Sequence, residues 1–116
     1  MAALSGGTGA LRYIAAALAA GLWLTGAGQA MGGTPGQTVN IENMAFAPAS
    51  LSVERGTKVV WNNHDLVPHT VTAAGKFDSG SIAPGKSWTY VATAPGRHDY
   101  VCSYHPAMKA TLVVRP

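Results

Sequence analysis

Three observations on this 116-residue chain predict an all-β sandwich of about seven to eight short strands. Apolar residues recur with a period of two in short runs, the runs are rich in β-branched and aromatic residues, and turn signals containing Gly and Pro separate them. The composition, 47% apolar and 11% charged, excludes a disordered charged tail. The length excludes a catalytic barrel or a doubly wound dinucleotide enzyme. The eight Lys and Arg residues behind the net charge of +3 are scattered singly, so no nucleic-acid partner is expected.

Residues 1–30 differ in composition from the rest and read as a signal peptide. Arg12, the only charge there, precedes an apolar stretch from Tyr13 to Leu24. Gly26, Ala27, Gly28 and Ala30 supply the small residues of a cleavage site, placed after Ala30. An apolar stretch of about 12 residues is short of the roughly 20 that a membrane-crossing helix needs. The expectation is therefore export to the periplasm, with no membrane span in the mature form. Residues 31–37, rich in Gly and Pro, read as a flexible leader into one domain over 38–116.

Within that domain each strand has its own pattern. Val39 and Ile41 alternate with polar neighbours, as do Leu51 and Val53, and Val59, Val60 and Trp61 form a β-branched and aromatic run. Trp88, Tyr90 and Ala92 alternate with Thr89 and Val91; His98, Tyr100 and Cys102 share one face of a further strand; Leu112, Val113 and Val114 close the chain. The turns Glu54-Arg55-Gly56-Thr57, Ala83-Pro84-Gly85-Lys86 and Ala94-Pro95-Gly96-Arg97 punctuate these runs. No helix is predicted, and Met44 is assigned to the core.

A single cysteine, Cys102, is unusual in an exported domain of this size, which would ordinarily be stapled by disulfides. A lone thiol in an oxidising compartment is buried, reactive by design or metal-bound. Alone it would be read as a structural thiol. Its neighbours reverse that reading: Cys102, His105 and Met108 place a thiolate, an imidazole and a thioether at successive three-residue intervals beside turn-forming Pro106. The candidate for a fourth donor is His69, in Pro68-His69-Thr70-Val71, at a boundary between loop and strand. His64 competes, but its polar turn neighbours Asn62, Asn63 and Asp65 make it a solvated loop residue. Met108 could merely fill the core, and His98 lies about 13 Å along a strand from the thiol, a core or edge histidine. Two imidazoles and a thiolate near one plane, with a weak axial thioether, make a blue-copper electron-transfer site.

The chain resembles the cupredoxins, and within the plastocyanin, pseudoazurin and amicyanin group it is most similar to the amicyanins. The residues that carry the resemblance are Asn43-Met44-Ala45-Phe46 with Pro48, the run Gly56 to Asn62, Pro68-His69, Gly96 to Cys102, and the loop Cys102 to Met108. The two-residue spacer between His105 and Met108 is the short-loop form of the amicyanins. The resemblance implies a Greek-key sandwich and one type 1 copper ion held by His69, Cys102, His105 and Met108. It also implies single-electron transport by Cu(I)/Cu(II) cycling rather than an enzyme. Three positions depart from the family pattern: His98 for Tyr, Thr70 for Asn and Tyr104 for Pro.

By the same resemblance, redox proteins such as a dehydrogenase, a cytochrome c or a copper reductase would dock on an apolar surface around His105. The chain would act as a monomer. The alternative is a periplasmic copper protein for storage or delivery, which would favour Met- or His-rich tracts, whereas here the four His and four Met stand singly. A multicopper enzyme needs a second centre, for which one Cys and no His-x-His pair supply no donors. An adhesion-type sandwich without metal leaves the Cys102–Met108 loop unexplained.

Overall fold

The computed structural model describes residues 35–116; the expected signal peptide and most of the leader lie outside the described residues. Nine strands follow in order: β1 (Gln37–Glu42), β2 (Ala45–Ala47), β3 (Ser50–Glu54), β4 (Thr57–Asn63), β5 (Thr72–Ala73), β6 (Phe77–Asp78), β7 (Ser87–Ala92), β8 (Gly96–Cys102) and β9 (His105–Arg115). They form an all-β sandwich of a four-stranded sheet, β2-β1-β4-β7, and a five-stranded sheet, β3-β9-β8-β5-β6. β1 runs parallel to β4 and β3 parallel to β9, and the other pairs are antiparallel.

The alternation that predicts the strands also decides what they bury. On β4, Thr57, Val59, Trp61 and Asn63 are buried; on β8, His98, Tyr100 and Cys102; on β9, Met108, Ala110, Leu112 and Val114. This parity puts Cys102 on the inner face at the end of β8, one pleat beyond Tyr100. Three strands are additional to the expected runs: β2, β5 and β6, each only two or three residues long and held by pairing rather than by a pattern of their own.

An aromatic cluster fills the core. The fully buried Trp61 meets Tyr100 edge-to-face at 5.7 Å and Trp88 at 5.4 Å, and Phe46 meets Tyr100 at 4.9 Å. The Trp61 indole N–H donates to the Tyr100 hydroxyl at 3.1 Å, a bond between the two sheets that satisfies a buried donor. Burial pushes the Tyr100 phenol up to about 12, against the opposing pull of the Trp61 bond.

One departure from the family pattern and one expectation about the core resolve here. His98, which stands for the family's Tyr, is buried, and its Nε2 donates to the Ala94 carbonyl at 2.8 Å. Met44 is a correction to the expected core, because it is half exposed. Asn43 and Met44, with φ of 56° and 61°, are the central pair of the tight β1–β2 turn, in which Glu42 pairs with Ala45. A two-residue hairpin of this hand requires positive φ at both central positions. That geometry turns the Met44 side chain away from the core whatever its hydrophobicity.

Candidate metal centre

Three segments converge at one end of the sandwich. The first is the connection from β4 to β5. Asn63, buried at the end of β4, donates from Nδ2 to the carbonyls of Val67 and Ile82, both at 2.9 Å, and its Oδ1 accepts the N–H of Asp65 at 2.9 Å. One side chain thereby folds the 64–69 loop back on itself. His69 is fully buried and is fixed by a two-way backbone bridge to Ile82.

The second segment is the β8–β9 hairpin. Its register runs regularly to Val101↔Lys109 and then jumps to Cys102↔His105. Pro106, Ala107 and Met108 therefore leave the ladder as a bulge, and Pro106 has no N–H to pair there. The expected loop is in fact a bulged start to β9. It brings His105 directly opposite Cys102, and Met108 is buried where β9 rejoins its partner.

The result is a compact donor cluster. Cys102 Sγ lies 3.6 Å from Nδ1 of His69 and 3.7 Å from Nδ1 of His105, and donor atoms of the three residues all fall within 4.8 Å of one another. A metal ion bonded to nitrogen at about 2.1 Å and sulphur at about 2.3 Å holds such atoms about 3.7 Å apart, so the spacing fits one ion between them. The structure thus brings together three of the four expected site residues and buries the fourth, Met108, in the adjoining bulge. His64 stands apart, exposed and bonded to Asn40 Oδ1 at 3.0 Å.

Neighbouring groups set the orientation of the donors. The second nitrogen of His69, Nε2, lies 2.8 Å from Asp65 Oδ2. With the proton on Nε2, the Nδ1 lone pair points toward the thiol, the arrangement a ligating imidazole needs. The same carboxylate accepts the N–H groups of Asn43 and Met44 at 2.7 and 3.0 Å, which steadies two residues in left-handed conformation. Desolvation alone would raise the Asp65 carboxyl, but the Met44 N–H, the His69 ring and the Asn43 N–H together hold it below the ordinary carboxylate value. The Thr70 N–H donates to Cys102 Sγ at 3.3 Å. Thr70 also bridges the two segments: its Oγ1 accepts the Ser103 N–H at 2.8 Å, tying one donor-bearing segment to the other. Asp65 and Asn63 were not singled out from sequence. The available signal was a carboxylate four residues before a candidate ligand histidine.

A family model for a cupredoxin-like domain matches residues 14–114. The chain belongs to the cupredoxin-like family. Among the relatives of this cupredoxin is amicyanin-alpha of Methylorubrum extorquens, 32% identical, the match covering 66% of this chain and 69% of that protein. Amicyanin of Paracoccus denitrificans is 29% identical, and the chain spans 63% of its length. Among solved structures, an oxidised amicyanin variant superposes with a TM-score of 0.66 at 26% identity, covering 69% of this chain and 82% of that one. The Cu(I) form of another amicyanin variant gives 0.65 at 28% identity, with the same coverage. A copper-containing nitrite reductase from Thermus scotoductus also matches, with a TM-score of 0.66 at 25% identity, but through only 22% of its own chain. The expected kinship and sandwich fold are thereby established.

Proposed function

We propose that this cupredoxin is an exported type 1 copper protein, not an enzyme, that carries single electrons between redox partners. His69, Cys102, His105 and Met108 hold the copper. The observation that carries the reading is the placement of two imidazole nitrogens 3.6 and 3.7 Å from one buried thiol. With a thioether nearby, this donor set suits both copper oxidation states. Bound copper supplies the redox chemistry, taking up and releasing one electron between Cu(II) and Cu(I). The chain supplies a fixed frame. His69 is clamped by Ile82 and Asp65, Cys102 and His105 by β-ladder pairing, so the donors need move little when charge changes. The Thr70 N–H at the sulphur stabilises its negative charge.

His105 is the least buried of the three clustered donors, which makes its ring the electron's entrance. Exposed Met44, Leu66, Val67 and Tyr104 belong to the segments that carry or support the ligands and are the residues we assign to an apolar docking face. Leu66, 94% exposed, is an apolar side chain that nothing among the described residues covers. A dehydrogenase, cytochrome c or copper reductase docking on this face would bind with weak salt dependence. Export follows from the reading of residues 1–30, and the docking mode is that of a monomer.

The test is Cu(II) titration of the chain followed by visible and EPR spectra. The expected result is an intense blue thiolate-to-copper band with narrow copper hyperfine splitting, abolished in Cys102→Ser. A colourless or ordinary tetragonal copper spectrum would overturn the electron-carrier reading in favour of copper storage or delivery.

A further inference from the structure

Thr70 bonds onward, away from the donors, to the outermost strand of its sheet. Its Oγ1 lies 3.0 Å from Ser103 Oγ and 2.9 Å from Thr72 Oγ1, and Thr72 Oγ1 donates to Asp78 Oδ1 at 3.1 Å. We infer that Asp78, on edge strand β6, is a positioning residue for the metal centre: it fixes the direction of a hydroxyl relay that locks the two donor-bearing segments together.

The argument is one of proton counting. A carboxylate only accepts, and each hydroxyl has one proton to donate. Thr72 spends its proton on Asp78, so the Thr70–Thr72 bond requires Thr70 to donate. Thr70 then has no proton left for Ser103, whose hydroxyl must donate to it. Thr70 Oγ1 ends with one bond donated and two accepted, from the N–H and the O–H of Ser103, which exhausts its capacity. Without the carboxylate the relay could run either way. In the reversed direction Thr72 would donate to Thr70 and Thr70 to Ser103 Oγ; the bonds are equal in number, but the Thr70 hydroxyl that accepts the Ser103 N–H is no longer held in one orientation. The anchor is itself held, because Asp78 Oδ1 also accepts the Gly80 N–H at 2.9 Å. Thr70, almost fully buried, is thus fixed on its hydroxyl side by the relay while its N–H points at the thiol. Asp78 touches no donor atom and acts only through this chain of bonds.

The inference rests on the copper reading for what is positioned, and the test separates the two. In the copper-free full chain, amide exchange at Ser103 should rise about fivefold in Thr70→Val, which removes its acceptor, the change expected for one hydrogen bond of ordinary strength, and by a smaller factor in Asp78→Ala, which frees the orientation of that acceptor. Thr70→Ser and Asp78→Asn, which keep the hydroxyl and an acceptor oxygen, should stay near wild type. With copper bound, Asp78→Ala should weaken affinity about tenfold and shift the thiolate-to-copper band. Ser79→Ala is the control, because it removes a different tie between the same segments, the bond from Val71 N–H to Ser79 Oγ at 2.7 Å. If Ser79→Ala matches Asp78→Ala in Ser103 exchange, Asp78 merely braces the hairpin and the inference is wrong. It is equally wrong if Asp78→Ala leaves Ser103 exchange unchanged. A wild-type chain that takes up no copper would instead overturn the functional reading, with the exchange data still deciding the relay.

Discussion

At the scale of single residues, the two histidines of the cluster are held by different means. His105 takes its place from the β8–β9 pairing, opposite Cys102, whereas His69 depends on side chains, above all Asp65 at 2.8 Å from Nε2. Asp65→Ala removes the acceptor that fixes the His69 tautomer and strips two turn N–H groups of their partner. Copper affinity should fall about 10- to 100-fold, measured by competition with a chelator of known affinity, while the sandwich stays folded. An affinity within about twofold of wild type, against that 10- to 100-fold expectation, would show that the Ile82 bridge alone orients the ring. The donors themselves were legible because Cys102, His105 and Met108 lie within seven residues and His69 sits beside a proline. Asp65 was not, because an Asp in a polar turn looks like any solvated turn residue until the fold brings Asn43 and Met44 to it.

At the scale of elements, strands with their own alternation were legible and strands made by pairing were not. β4 and β8 bury every second residue as their sequences require, but β5 and β6 are two residues each, too short to carry a period. Met44 shows the converse, an apolar residue placed by turn geometry rather than by burial. The β8–β9 pair also explains an electrostatic detail. Asp99 and Thr111 are directly opposed, and the threonine hydroxyl donates to the carboxylate at 2.8 Å. That bond first, then the Arg97 guanidinium at 3.0 Å, holds the Asp99 carboxyl below its ordinary 3.8. A lowered carboxyl favours the folded state above pH 3.8, and the gain fades as the pH falls through the lowered value. Because Asp99 is exposed, the effect on stability is small and the titration is the better readout. Thr111→Val should move the Asp99 midpoint back up toward 3.8 in an NMR pH titration; a midpoint that stays put would assign the lowering to the cations Arg97 and Lys76.

At the scale of the molecule, the aromatic core and the metal centre are distinct in composition and meet at β8. Trp61, Tyr100, Phe46 and Phe77 pack the interior, while the donors occupy the β8–β9 turn and the connection from β4 to β5. Their meeting point is the stretch from Tyr100, bonded to Trp61, to Cys102, two residues on. The pairing that brings the two donor-bearing segments together, β5 antiparallel to β8 at Thr72↔Val101, is long-range and leaves no local mark in the sequence. The donors are already spaced for an ion by bonds internal to the protein: Asp65 to His69, Thr70 to Cys102 and to Ser103. Copper removal should therefore leave the sandwich folded, unlike a zinc finger, whose fold depends on its metal. Copper binding to the folded state alone still adds stability, by about 2.7 kcal/mol when free metal is 100 times its dissociation constant. Thermal unfolding of the chelated and loaded forms should show one cooperative transition each, the loaded one at higher temperature and rising with free copper. Loss of the cooperative transition on chelation would mean that metal organises the fold; coincident transitions would mean that these donors hold no metal with useful affinity.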